Sequence, residues 1–562
     1  MKLLQWRDSV VPYPEADAER FRTAGFWGDL TIAGEFRQVA LRTPDAVALI
    51  GPDRCYTYAE LDRETDRIGA GLLQLGLTPG QAVLLQLDNS EDTVLAWYGV
   101  LKAALIPVAT LSVHRGHEIR QIAARTRAAA HLVQGDLRKF DLVRFATDLA
   151  AGSPRLVLTV RDDAGPRPGT TAVEGLGEGL SADQARMAVS AAQSAVDPDD
   201  VAVFQLSGGT TGTPKVIPRL HAEYWYNARA YAERLGWDAT VRVAQLMPLV
   251  HNAGIVCGLH AAHSVGGTIV VGSPDADRAL PLLARAAVTD GLMLPGLAAT
   301  LRAHPLFDAA FAKAQRVVLS GSAISDGLFE AFERRGVQVV GLFGMGEGMC
   351  MVTPPADPEA SRQHTVGFPL SAADEVRLLE PGTETAVPDG TPGEFCARGP
   401  YTLRGYLDAP ERNAEAFTTD GFYRTGDLLA VRDIGGLRRY VFEGRVKDLV
   451  VRGGEKINAA EIEGLITQLP GIRRAALIPV PDPRLGERGC LCLELEDGAA
   501  PIGLADVQQF LERREVARFK WPERVELIAE LPRTLVGKVD KKRLIAELDK
   551  LVPHSPSAAA QR

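Results

Sequence analysis

The chain has 562 residues, 46% of them hydrophobic and 24% charged, and carries a formal net charge of −9. That is more than one hydrophobic core normally supports, so two or more domains are expected, and the acidic balance argues against a protein that coats nucleic acid or anionic membrane. The six cysteines lack zinc or dithiol spacing, no apolar stretch reaches bilayer length and the first residues hold no signal-peptide core, so reduced thiols in the cytosol and small-molecule or protein partners are expected.

From Thr57 the chain alternates a helical segment, Tyr58 to Leu75, with short apolar runs at Ala82 to Leu87 and Ile106 to Thr110, the rhythm of strand-helix-strand units that build a parallel sheet. The Gly/Ala/Asp-rich section Ala150 to Asp200 reads as a surface connection. Alternation resumes at Val201 and runs to Leu342 through Val241 to Pro248, Thr268 to Val271, Gly291 to Pro295 and Arg316 to Leu319. Its first strand exits into Leu206-Ser207-Gly208-Gly209-Thr210-Thr211-Gly212-Thr213-Pro214-Lys215. Glycines there can turn backbone N–H groups toward an anion, hydroxyls add donors and the lysine supplies counter-charge. It is not a Walker loop, and by itself it is equally an ordinary strand exit. Beyond about Gly367, Gly- and Pro-punctuated strands (Glu394 to Ala397, Gly436 to Glu443) suggest a β-rich subdomain. After the charged turn at Gly444-Arg445-Val446-Lys447-Asp448 a compact α+β module is expected: apolar Lys447 to Val451, helix Ala459 to Leu469, strands Arg474 to Val480 and Cys490 to Leu495, and helix Leu504 to Arg513.

Further motifs follow the loop in order: Gly341-Leu342-Phe343-Gly344-Met345-Gly346-Glu347-Gly348, Gly421-Phe422-Tyr423-Arg424-Thr425-Gly426-Asp427, Gly444 to Asp448 with Arg452-Gly453-Gly454-Glu455-Lys456-Ile457, and Gly537-Lys538. Together they resemble the adenylate-forming superfamily of acyl-CoA synthetases, luciferases and nonribosomal adenylation domains, from about Trp6 to Leu551. Pro12-Tyr13-Pro14 with Ala24-Gly25-Phe26-Trp27, Val113-His114-Arg115-Gly116-His117-Glu118-Ile119, and Lys215-Val216-Ile217-Pro218-Arg219-Leu220-His221 resemble its stand-alone aryl-acid ligases, such as 2,3-dihydroxybenzoate-AMP and salicylate-AMP ligases. The resemblance implies an α/β fold with a large N-terminal domain, 1–446, of two related parallel-sheet halves plus the β-rich subdomain, and a small mobile α+β domain, 447–562, pivoting near Lys447.

It implies an enzyme that joins a carboxylate to ATP, giving acyl-adenylate and pyrophosphate, and then acylates a pantetheine thiol. Such a site must screen anions at both ends of the reaction. By resemblance, Ser207, Gly208, Gly209, Thr210, Thr211, Gly212 and Lys215 hold the phosphates, Glu347 binds Mg2+, Gly321, Ser322, Ala323, Gly344 and Met345 border the adenine, and Asp427 and Arg445 meet the nucleotide. Lys538 would bridge carboxylate and α-phosphate, and the loop Gly453, Gly454, Glu455 would serve thiol transfer.

Pro248-Leu249-Val250-His251-Asn252 resembles the segment carrying the acid-binding asparagine, whose amide can meet an ortho-hydroxyl and the carboxylate together. His251 would lie beside the carboxylate, and Ala253, Cys257, Gly321, Gly346 and Cys350 would line the ring pocket. Met349 and Met351 border the same region or are plain core packing. Ala253 and Gly254 stand where a ring is usual, Cys257 where dihydroxybenzoate enzymes tend to have serine, and Ile324 where many relatives have lysine. A salicylate-like or larger hydroxylated bicyclic acid is therefore expected, in siderophore or other natural-product synthesis. The acceptor is either a carrier protein or coenzyme A, brought by another molecule. A non-catalytic binding protein on this fold is the remote alternative, against which Glu347, Asp427 and Lys538 all stand.

Overall fold

A computed structural model of the full chain describes residues 6–551 apart from 138–139, 154, 163–164, 166, 208–214, 322–323, 453–454, 483–485, 515, 517 and 535–537. The chain divides into two compact units, Met1–Val376 with Ala397–Tyr423 and Asp433–Tyr440, and Arg377–Cys396 with Arg424–Arg432 and Val441–Arg562.

The first unit contains the two expected α/β sheets. One has seven strands in the order Thr170–Ala172, Leu156–Val160, Ala130–Gln134, Ala82–Gln86, Ile106–Val108, Val201–Leu206, Val216–Leu220, parallel until the last two, which form an antiparallel hairpin. The other has nine, parallel from Val47–Ile50 through Thr268–Val271, Arg242–Gln245, Asp290–Met293 and Arg316–Ser320 to Gln338–Gly344, with antiparallel strands at both ends.

Helix Glu91–Lys102 is buried along all 12 residues, and helix His221–Leu235 is nearly so. Trp97, Tyr98, Tyr224 and Tyr231 on these helices join strands of both sheets in one core, each large apolar side chain contributing about 1.5–3 kcal/mol on burial.

The section Ala150 to Asp200 is not a surface connection. It supplies the outermost strand of the seven-stranded sheet, Thr170–Ala172, its neighbour Leu156–Val160, and helix Ala182–Gln193, whose Ala185 and Val189 pack on Ala70 of helix Tyr58–Gln74. Small residues there serve close approach: a Cβ on Gly71 would lie 2.6 Å from the Gly177 nitrogen, and one on Gly69 3.0 Å from Val189.

A four-stranded sheet, Glu375–Leu379, Gly393–Arg398, Tyr423–Ile434, Leu437–Arg445, provides the β-rich element. In the second unit the long hairpin Ile472–Asp482/Gly486–Leu495 alternates from Arg474 onward, after an irregularity between Ile472 and Arg474. Leu477, Leu491 and Leu493 face helices Ala459–Ile466 and Leu504–Arg513, while Ile478, Cys490 and Cys492 face Leu544 and Leu548 of helix Lys541–Leu551, the period-two pattern of a sheet covered on both sides.

Candidate active site

The Gly/Thr-rich run joins the paired antiparallel strands Val201–Leu206 and Val216–Leu220. Its ends are pinned: Ser207 N–H donates to the Lys215 carbonyl (3.0 Å) and Lys215 N–H to Ser207 Oγ (3.2 Å). Gly208, Gly209, Thr210, Thr211 and Gly212 lie outside the described residues. Lys215 Nζ rests 4.6 Å from the centre of the Tyr406 ring and donates to the Tyr406 hydroxyl at 3.4 Å. That hydroxyl donates to Glu347 Oε1 at 2.8 Å and lies 2.9 Å from the Tyr423 hydroxyl. With its one proton on Glu347, Tyr406 accepts from Lys215 and Tyr423. Burial first, and then the Glu347 charge, push both phenols' pKa up, so they remain donors. The sequence reading missed both tyrosines. They sit inside quoted or neighbouring motifs, but nothing in their spacing shows that they converge on one carboxylate.

Glu347 is buried. Its loop turns back on itself through Met345 N–H to the Met349 carbonyl and Gly348 N–H to the Met345 carbonyl, both 3.1 Å. Gly348 has φ +117°, and a Cβ there would sit 1.7 Å from the Tyr401 carbonyl oxygen, so only glycine fits. Among the described residues no three His, Cys, Asp or Glu side chains gather as a metal site. A magnesium ion at Glu347 would therefore take its other ligands from phosphates and water, the manner in which this hard cation is commonly held. A buried carboxylate linked through the Tyr406 hydroxyl to Lys215 fits that role.

A second cluster is built on the same loop. Asn252 begins the short helix Asn252–Gly254, followed by the π-helical turn Ile255–His260; such turns occur often at functional sites. Asn252 Nδ2 donates to the Met345 carbonyl (3.3 Å), and its Oδ1 accepts from Arg219 Nη1 and the Tyr224 hydroxyl, each at 3.1 Å. Arg219 also donates to the Gly346 carbonyl at 3.1 Å. The loop Gly344 to Gly348 thus touches both groups: its Met345 and Gly346 carbonyls meet the amide and guanidinium, and its Glu347 carboxylate meets Tyr406 beside Lys215. Arg219 lies in the motif Lys215 to His221. Its one signal in the sequence was Glu223 four residues on.

His251 is exposed, and its Nδ1 accepts the Ala253 N–H at 3.3 Å, which leaves the neutral ring's proton on Nε2. Ala253 is half-buried. Gly254 does not widen the pocket, because a Cβ on it would meet the Leu249 and Pro248 carbonyl oxygens at 2.5 and 2.7 Å; backbone packing requires this glycine. Cys257 and Cys350 are both buried and their thiols are hydrogen-bonded, which with burial raises the Cys257 pKa. Met349 and Met351 are fully buried core side chains, and Ile324 packs on a hydrophobic cluster. Gly321 has φ +90° at the end of strand Arg316–Ser320; Ser322 and Ala323 lie outside the described residues, and Gly344 is exposed at its strand end.

In the second unit, Asp427 on strand Tyr423–Ile434 is buried, and its Oδ1 receives Arg445 Nε at 2.9 Å. Lys447 sits in the 3-10 turn Val446–Asp448. Desolvation, then the Arg445 charge, lower its pKa against Asp448 and Asp427. Lys538 is exposed, yet the protein around it and the Arg445 and Lys447 charges lower its pKa, with Asp427 opposing. Its loop is closed by Thr534 N–H to the Lys538 carbonyl (2.7 Å) and anchored by Leu531 N–H to buried Glu494 Oε2 (3.0 Å). Gly453 and Gly454 lie outside the described residues; Glu455 opens strand Glu455–Asn458.

The model for AMP-binding enzyme matches residues 36–407, and that for the AMP-binding enzyme C-terminal domain matches 461–538. A salicylyl-CoA synthase / salicylate adenylyltransferase from a Streptomyces species is 38% identical, covering 96% of this chain and 97% of its own. The 2-hydroxy-7-methoxy-5-methyl-1-naphthoate--CoA ligase of Streptomyces carzinostaticus is 36% identical over 95% and 96%. The apo structure of MbtA from Mycobacterium smegmatis superposes with a TM-score of 0.71 at 34% identity, covering 96% of this chain and 99% of that one. With both models matched in order and full-length relatives above 30% identity, the chain belongs to the AMP-binding enzyme family.

Proposed function

We propose that this enzyme activates a 2-hydroxylated aromatic carboxylic acid with ATP and passes the acyl group to a pantetheine thiol. The observation that carries the reading is the loop Gly344 to Gly348, which holds an amide suited to the acid on one side and a carboxylate beside a phosphate-loop lysine on the other. The two relatives above act, by their names, on salicylate and on a 2-hydroxynaphthoate, both with a hydroxyl ortho to the carboxylate.

A carboxylate oxygen attacks the α-phosphorus of ATP, the new C–O–P bond forms as the bond to pyrophosphate breaks, and a thiol then displaces AMP. Lys215 supplies positive charge to the phosphates, and Glu347 would hold magnesium, whose charge would offset that of the phosphates. Asp427, oriented by Arg445, accepts from the ribose hydroxyls, and Gly321 to Ala323 with Gly344 and Met345 border the adenine. Lys538 stabilises charge between carboxylate and α-phosphate, Lys447 is the pivot of the C-terminal domain, and Gly453 to Glu455 serve thiol transfer. Asn252 orients the acid, with His251 beside its carboxylate and Ala253, Cys257, Gly346 and Cys350 around its ring.

ATP–pyrophosphate exchange across hydroxylated benzoic, picolinic, quinoline and naphthoic acids tests the reading. Highest exchange is expected on an acid with an ortho-hydroxyl, salicylate or a bicyclic analogue; highest exchange on benzoate, or none at all, defeats it. Coenzyme A is the second reading for the acceptor, favoured by the naphthoate relative's name. Mixing the loaded enzyme with coenzyme A or a pantetheinylated carrier separates the two.

A further inference from the structure

This inference rests on the reading that Asn252 meets the acid, and it specifies what that residue offers. Which end of a carboxamide points where is decided by its partners. A guanidinium only donates, so the Asn252 atom 3.1 Å from Arg219 Nη1 is the amide oxygen. A second donor fixes the same orientation. Gln205 Nε2 donates to the Val250 carbonyl at 3.2 Å and to the Tyr224 hydroxyl at 3.0 Å. Having accepted there, Tyr224 sends its own proton to Asn252 Oδ1 at 3.1 Å. Both lone pairs of that oxygen are used. On the nitrogen, one N–H goes to the Met345 carbonyl, and the other has no partner among the described residues.

Arg219 cannot readily turn away. It is fully buried, forks onto Glu223 through two 2.8 Å bonds, donates to Asn227 Oδ1 and the Tyr401 carbonyl at 3.3 Å, and lies 4.4 Å from the Tyr224 ring centre. Planar, bidentate pairing of this kind fixes geometry.

We infer that Arg219 is a positioning residue which, with Tyr224, locks the Asn252 amide oxygen inward, so that the pocket selects aromatic acids whose ortho substituent accepts a hydrogen bond and rejects those whose ortho substituent donates one. In 2-hydroxybenzoate the phenolic proton is held by the neighbouring carboxylate, and an oxygen lone pair faces outward to meet the Asn252 N–H. In 2-aminobenzoate one N–H makes that internal bond and the other points outward, donor against donor.

The test is the ratio of kcat/KM for 2-hydroxybenzoate over 2-aminobenzoate in ATP–pyrophosphate exchange, in wild type, Arg219→Lys, Tyr224→Phe and Asn252→Asp, with folding checked by thermal melting. Wild type is expected to favour the hydroxy acid at least about tenfold, the scale of one buried hydrogen bond gained or lost. Arg219→Lys keeps a donor but loses the planar fork that reaches Glu223 and Asn252 together, so it loosens the amide and brings the ratio toward one; Tyr224→Phe lowers it less, and Asn252→Asp, which offers only acceptors, lowers it about tenfold or inverts it. General damage to the fold lowers both acids together and leaves the ratio alone. Should Arg219→Lys not fold, the other two variants decide. A wild-type ratio near one, or ratios unchanged in the folded variants, overturns this inference alone; exchange with no aromatic acid overturns the proposed function and takes this inference with it.

Discussion

Asp374 is a carboxyl placed where ionisation is costly. Burial pushes its pKa from 3.8 up to about 7, against the opposing Tyr401 hydroxyl, the Ser371 N–H and the Arg234 charge. The unfolded chain loses this proton near 3.8 while the folded chain keeps it to about 7. Between those values the native state binds more protons, so its stability falls as pH rises. The contribution is whole below the lower value and lost above the higher. Tyr401 bonds to Asp374 through its hydroxyl and to Arg219 through its carbonyl, so the ionisation acts on the segment that steadies the Asn252 amide. Asp374→Asn, neutral at every pH, is expected to flatten the pH dependence of the first unit's melting temperature between about pH 4 and 7. It should melt higher than wild type at pH 8. Melts at pH 5 and pH 8 decide: parallel curves for the two proteins refute the assignment.

The loop Gly344 to Gly348 is the element on which the two halves of the site are hung, and Gly348 is where its path admits no substitute. Gly348→Ala would force an L residue to φ +117° and drive a methyl to 1.7 Å from the Tyr401 carbonyl oxygen. We expect destabilisation of more than about 2 kcal/mol, read as a lower melting temperature, and loss of exchange as Glu347 and the Met345 carbonyl shift together. A variant that melts like wild type would show that the loop tolerates another path. The glycine in this motif was visible in the sequence, but the carbonyl it must clear was not, since Tyr401 is 53 residues away. The same division runs through the rest of the fold. Strand and helix positions such as 474–480, 490–495 and 504–513 were legible because their apolar periodicity is local, and each falls within an observed element. The stretch 150–200 was misread because alanine and glycine carry little periodic signal, and their value there lies in the helix they let approach. Asn252, Glu347 and Lys215 stood out by motif. Tyr406, Tyr423 and Tyr224 did not, because an aromatic residue is core by default and only the fold shows its hydroxyl aimed at a carboxylate or an amide.

At the scale of the whole molecule, separate cores make the chemistry separable. The second unit packs its own two clusters around the hairpin Ile472–Asp482/Gly486–Leu495, and Lys538 is an exposed residue on a loop anchored to Glu494 through Leu531. Truncating that side chain removes a cation without opening either cluster. If Lys538 stabilises charge during adenylation, Lys538→Ala is expected to slow ATP–pyrophosphate exchange by about 10²-fold or more, the cost of removing one positioned electrostatic contact in a transition state. ATP and acid binding should change far less. Transfer of the acyl group from a pre-formed acyl-adenylate to a thiol breaks the acyl C–O bond and expels AMP, a step to which this reading assigns the loop Gly453 to Glu455 and not Lys538, so it should continue near the wild-type rate. Single-turnover measurements of the two half-reactions separate the cases. Equal loss in both assigns Lys538 to the fold of the second unit, and loss confined to transfer assigns it to the thiol step; either result removes it from the adenylation chemistry.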